Sequence, residues 1–197
     1  MRNGADALMR QMLSALGIGG LFWIGGLFFI GFITIYLLQK YSWDDYEIKS
    51  RYFISMVIES IFWSYLLFIF MSNMHLLLMV PNGTRIIQNV TLAIGAGIYE
   101  EILFRIISIY LFKYILGLIF QWGDQSKIGI SIILAAVLFS LFHFIGEFGD
   151  PFSFVIFMVR FLAGITLGLL YILRGFGITA WTHSLYDLIV LTSVTTQ

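Results

Sequence analysis

IIQNVTLAIGAGIYEEILFRIISIYLFKYILGLIF, residues 86–120, decides the fold and also marks where function is to be sought. A bilayer's hydrocarbon core is about 30 Å thick and takes about 20 helical residues to cross. This run exceeds that, so we expect a spanning helix that bends, or continues as an interfacial segment, around Lys113. Within it lie Glu100, Glu101 and Arg105, three charges at a depth where lipid tolerates none without a reason.

Working outward, runs of crossing length recur at 13–38, 52–80, 127–144, 151–173 and 178–194. Backbone in lipid must satisfy its own hydrogen bonds, so each run should be helical. A barrel is excluded because the apolar residues are continuous rather than alternating in ten-residue strands. The expected fold is all-α, a polytopic bundle of about six spans, with seven or eight still compatible with the runs. The run at 13–38 is too long for a signal-peptide core and no A-x-A pattern follows it, so it reads as a retained first span. Lys40, Lys49, Arg51, Lys127 and Arg174 fall in alternate loops, which by the positive-inside rule places those loops in the cytoplasm and the N-terminus outside.

Composition agrees. Of 197 residues 60% are hydrophobic and 11% charged, and mean hydropathy is +0.95. A soluble domain carries roughly a quarter charged residues, so this chain is expected to be a multi-pass integral membrane protein (in the plasma membrane if prokaryotic). Eleven basic residues balance eleven acidic ones, leaving no basic face for nucleic acid, and the absence of cysteine excludes disulfides and thiolate chemistry. No linker divides the chain. We read 1–197 as one domain: residues 1–85 hold two N-terminal spans of unassigned role, and 86–197 form the core that carries the chemistry.

Ionisable residues cluster in three of the spans. Glu101 and Arg105 are four apart and share a helix face, acid before base, so they should pair. Glu100 lies about 100° around the helix, with no cation one turn away. Glu101 therefore reads as structural and Glu100 as the chemical group. His143 ends the next span, with Phe139 one turn before it as a wall. His183 and Asp187 are again four apart, so the carboxylate can orient the ring or both can face a common cavity. Taken singly, each histidine suits an interhelical hydrogen bond; three clusters in separate spans suit a functional cavity. His75 reads as interfacial, and Glu59 and Arg160 suit either a mutual ion pair or a place in the site.

E-E-x-x-x-R, then F-x-x-x-H, then H-x-x-x-D, in order on separate helices, resembles the CPBP family: the CAAX-protease and bacteriocin-processing (Abi) intramembrane endopeptidases. Residues 164–171, GITLGLLY, look similar too, and the likeness covers about 91–191. The resemblance implies peptide-bond hydrolysis in the membrane, with Glu100 and His143 activating water and His183 and Asp187 stabilising the oxyanion. Glu101 and Arg105 would support the Glu100 helix. Many members carry Asn at the last position, so Asp187 is expected to be protonated or bound to His183. No cofactor is obligatory. H-E-x-x-H is absent, yet Glu100, His143 and His183 could supply a zinc or other divalent-metal set, which would make the protease metal-dependent rather than glutamate-type. The expected partners are the bilayer and a membrane-anchored protein or hydrophobic peptide. The other functions weighed are a non-catalytic membrane scaffold and a proton- or ion-coupled transporter. The residues can converge only if the 144–150 loop dips inward or the helices tilt, which implies a polar, water-filled funnel.

Overall fold

The computed structural model describes residues 50–72, 86–146 and 149–193. The run at 13–38 and His75 lie outside them. Among the described residues every regular element is helical: α1 (Ser50–Ser72), α2 (Ile86–Glu101), a π-helical segment (Ile102–Ser108), α3 (Ile109–Ile119), α4 (Asp124–Phe142), α5 (Phe154–Arg174) and α6 (Phe176–Ser193). Four stretches are long and apolar enough to cross a membrane, namely Arg51–Met71, Ala93–Ile119, Asp124–Phe142 and Phe154–Arg174. The chain is a polytopic, multi-pass membrane protein of the all-α class.

Helix boundaries fall close to the apolar runs, with two informative differences. The long run is one continuous helix through Lys113; its irregularity comes earlier, as the π-helical segment directly after Glu101. Ser108 stabilises that wider turn by donating its hydroxyl to the Leu103 carbonyl, five residues back, at 2.8 Å. The second difference is the joint between the last two helices, where the apolar runs leave a gap at 174–177. A single residue, Gly175, connects them at φ +84°, a left-handed conformation that strains any side-chain-bearing residue.

Lipid offers no hydrophobic drive for helices to associate, so close packing and polar contacts must hold the bundle. Close packing is concentrated at glycines. A Cβ on Gly164 would sit 3.0 Å from the Ala136 methyl, and one on Gly168 would sit 2.8 Å from Ile132, so α4 and α5 touch along a smooth seam. Ser140 adds a hydroxyl bond to the Phe157 carbonyl (2.7 Å) across the same seam. Helix α6 lies centrally, packed on α1, α2 and α5. Leu67, Met71, Val159, Ala163 and Leu167 form one apolar cluster between α1 and α5; Ile109, Ile132 and Ala135 form another between α3 and α4. The outward faces, such as Ile54, Ile58 and Phe62 of α1, are exposed and apolar, as a lipid-facing surface must be.

The α3–α4 hairpin sets the level of the site. Glu100 lies 19 residues before the end of α3 and His143 lies 19 residues after the start of α4. At 1.5 Å per residue both stand about 28 Å from the turn. Two equal arms bring a residue from mid-helix and a residue from a helix end to the same height.

Candidate active site

Glu100 and Glu101 close α2, where the helix meets α6 most tightly. A Cβ on Gly97, one turn earlier, would come within 2.8 Å of the Ser184 backbone nitrogen and would overlap its hydroxyl. Ser184 follows His183. The glycine therefore lets the two backbones approach until carboxylates from one helix reach an imidazole on the other.

Glu101 is fully enclosed, and Arg105 is 1% exposed. Arg105 Nε lies 2.9 Å from Glu101 Oε2, an ion pair one turn apart as the spacing predicts. The other oxygen, Oε1, accepts from His183 Nδ1 at 2.7 Å. Glu101 thus bridges a guanidinium and an imidazole, and it holds the ring. Of the two arrangements that the His183–Asp187 spacing allows, Asp187 orienting the ring or both facing a common cavity, the distances fit the second. Asp187 Oδ1 is 3.7 Å from His183 Nε2, too far for a hydrogen bond, and that carboxyl is 25% exposed beside the ring.

With Nδ1 engaged, His183 turns Nε2 toward Glu100, whose Oε2 is 3.9 Å away. His143 approaches the same oxygen from α4, with its Nε2 at 3.8 Å. Its Nδ1 lies 2.8 Å from the Phe139 carbonyl, and a carbonyl only accepts, so Nδ1 carries the proton. In the neutral ring that leaves Nε2 with a lone pair directed at the site.

Phe139 forms the wall. Its ring meets His143 edge-on at 4.9 Å and His183 at 5.9 Å between centroids. Phe104 packs on its far edge at 5.2 Å, and the Arg105 guanidinium lies over its face at 4.8 Å. The sequence placed Phe139 beside His143 alone; it touches both rings and the structural cation.

All seven sequence-predicted residues lie in this one cluster. Residues 81–189, more than half of the chain, match the type II CAAX prenyl endopeptidase Rce1-like family. The chain belongs to that family. Neither a curated protein nor a solved structure matches it. Membership in the Rce1-like family places the chain among intramembrane CAAX-type endopeptidases, and it agrees with the CPBP resemblance carried by the three motifs.

Could this Rce1-like centre hold a metal? Zinc bound by histidine nitrogens and carboxylate oxygens at about 2.0–2.2 Å draws its ligands onto one point. Among the described residues no group of three His, Asp or Glu side chains is arranged to hold an ion. No chemical step below is routed through a metal.

Two features of this Rce1-like site were missed in the sequence. The first is the Glu101–His183 bond, which joins residues 82 apart and has no local signal. The second concerns Glu59 and Arg160, which do not pair with each other. Glu59 binds Arg174 across the α1–α5 interface and also accepts from Trp63. Arg160 binds Asp150 in the loop after His143.

Proposed function

We propose that the chain hydrolyses a peptide bond of a membrane-anchored protein or peptide within the bilayer, using water activated by Glu100 and His143. The observation that carries this reading is the approach of both histidine Nε2 atoms to one Glu100 oxygen, at 3.8 and 3.9 Å. Direct hydrogen bonds end near 3.2 Å, whereas a water about 2.8 Å from each of two such atoms fits the gap at roughly a right angle. An acid and an imidazole lone pair on either side of one water form a general-base pair.

In this reading Glu100 takes a proton from water while His143 Nε2 holds the water by accepting its other hydrogen. The oxygen attacks the scissile carbonyl carbon, and the carbonyl oxygen becomes an oxyanion. His183 Nε2–H donates to that oxyanion. Because Nδ1–H already donates to Glu101, the ring must carry both protons to do so. Three carboxyl groups around it (Glu100, Glu101 and Asp187) favour that cation. Glu100 then returns its proton to the departing amide nitrogen as the C–N bond breaks, releasing a carboxylic acid and an amine. Water must reach the site, and the His143 and Asp187 side chains are partly exposed, which leaves a way in on their side.

A proton or ion relay needs polar groups spread along a path through the membrane. Among the described residues Glu59 pairs with Arg174, and Asp124 with Lys127 and Lys113, as local pairs rather than as a chain of polar groups. The test is Glu100→Gln in the full-length protein reconstituted in vesicles, with a prenylated CAAX peptide as first probe because the family carries that activity. Comparison of membrane-protein termini from cells bearing the wild-type chain and cells bearing Glu100→Gln then searches for natural substrates. Loss of one cleavage event with an intact fold supports the reading; unchanged cleavage rejects it. A scaffold role predicts no new terminus from either chain.

A further inference from the structure

The groups that activate water in this reading are held very differently. Glu100 and His183 sit inside packed helices. His143 caps the end of α4, where the backbone is already turning: its N–H reaches the Ser140 carbonyl at 3.4 Å, and Phe144 N–H reaches Leu141 at 3.0 Å. Something beyond α4 must hold that end if Nε2 is to keep its place against Glu100.

The loop that follows folds back on the histidine. Gly146 adopts φ +97°, Gly149 N–H donates to the Gly146 carbonyl at 3.1 Å, and Asp150 N–H donates to the carbonyl of His143 itself at 2.9 Å. A Cβ on Gly149 would lie 2.8 Å from the Phe144 carbonyl carbon, so the two ends of the loop touch. One side chain grips both ends. Arg160, two turns into α5, donates Nη2 to Asp150 Oδ2, and its guanidinium lies over the Phe144 ring at 5.2 Å. The Arg160 side chain is only 13% exposed although Asp150 is half exposed, so the bond is anchored at the α5 end.

We propose that Arg160 is a positioning residue: it holds Phe144 and Asp150, the described ends of the turn after His143, against α5 and thereby fixes the placement of the His143 ring opposite Glu100. It acts through Asp150 and Phe144, the residues that bracket the loop. A lysine keeps the charge but loses the planar fork that can bond Asp150 while stacking on Phe144.

The effect on turnover rests on the proteolysis reading above, so the test has one arm that does not. The chain has no cysteine, and Ile145 is exposed in the loop. A nitroxide on Ile145→Cys in the full-length protein in vesicles therefore reports loop motion alone. Arg160→Gln and Asp150→Asn should each sharpen its spectrum, and Arg160→Lys should do so partly. An unchanged spectrum in Arg160→Gln overturns the latch whether or not any peptide is cut. On a cleaved peptide, both single variants should lower kcat by about 10- to 100-fold, as a misplaced catalytic group does, with little change in KM. The double variant should be no slower than either single one. Losses that multiply in the double variant, or that match the lost folded fraction, overturn the proposal. A wild-type protein that cuts no substrate counts against the proteolysis reading instead.

Discussion

Replacing Glu101 by Gln tests the bridge on which the proposed site is built. The carboxylate is fully buried between Arg105 Nε at 2.9 Å and His183 Nδ1 at 2.7 Å. Gln keeps the volume and still offers an oxygen to the ring, but it leaves the guanidinium of Arg105 enclosed without its ionised partner. Removing one member of a buried pair costs about 3–5 kcal/mol. The near-isosteric change places this case at the low end, about 3 kcal/mol, or a fall of roughly 6–12 °C in the midpoint of thermal unfolding for a chain of this size. Cleavage should drop as well, by about 10- to 1,000-fold, because His183 loses the charge that favours its cationic form. The assay is unfolding and peptide cleavage on the same vesicle-reconstituted protein. The informative partner is Glu101→Gln combined with Arg105→Gln. It removes the stranded charge and should regain at least half of the lost stability, while cleavage stays low because the ring is still unsupported. If the double variant is less stable than Glu101→Gln alone, the two residues are not coupled as described. Wild-type cleavage by Glu101→Gln would show that the 2.7 Å bond does not prepare His183.

Three further outcomes follow from the same geometry. Glu100→Gln should cut cleavage by at least about 100-fold, the lower range for loss of a general base, with the unfolding midpoint within a few degrees of wild type. Gly97→Ala should destabilise by about 1–3 kcal/mol through overpacking against Ser184, and should lower kcat by separating the helices that carry Glu100 and His183; unchanged unfolding and turnover would mean that α2 and α6 do not meet as closely as drawn. Exhaustive chelation followed by dialysis should leave cleavage unchanged, and recovery of lost activity by added zinc would refute the metal-free mechanism.

How much of this was legible in the residues follows from the range of each interaction. Helix positions were readable because lipid forces long apolar runs, and Glu101 with Arg105 was readable because four residues make one turn. The π-helical segment was not, since Ile102–Ser108 has an unremarkable helical composition and only Ser108 bonding back to Leu103 betrays the wider turn. Nor was the ownership of His183. A carboxylate four residues away, Asp187, looked like its natural partner, but tertiary packing at Gly97 brought Glu101 to Nδ1 first. The meeting of His143 with Glu100 was in fact accessible from counting: 19 residues on each side of a short helical turn place them level. Treating the spans as separate cylinders of equal depth hid that match and made convergence depend on a dipping 144–150 loop or on tilted helices.

The two histidines differ because of what holds the nitrogen that faces away from Glu100. On His143 that partner is the Phe139 carbonyl, a neutral acceptor that can do no more than select the tautomer, which leaves Nε2 an acceptor. On His183 it is the Glu101 carboxylate, which accepts a proton's hydrogen bond and also supplies negative charge, and so favours a ring protonated on both nitrogens. In the proposed hydrolysis an acceptor would suit the approach of water and a cationic donor would suit an oxyanion, so the two side chains that face one Glu100 oxygen would serve successive halves of that reaction. Exchanging those preparations is therefore more damaging than removing hydrogen bonds in equal number: weakening the charge behind His183 should impair the oxyanion step while water remains held. A transition-state analogue with an oxyanion should consequently lose more affinity in Glu101→Gln than an uncharged substrate analogue does. Equal losses for both ligands would mean that Glu101 supports the fold and contributes nothing specific to the charge at His183.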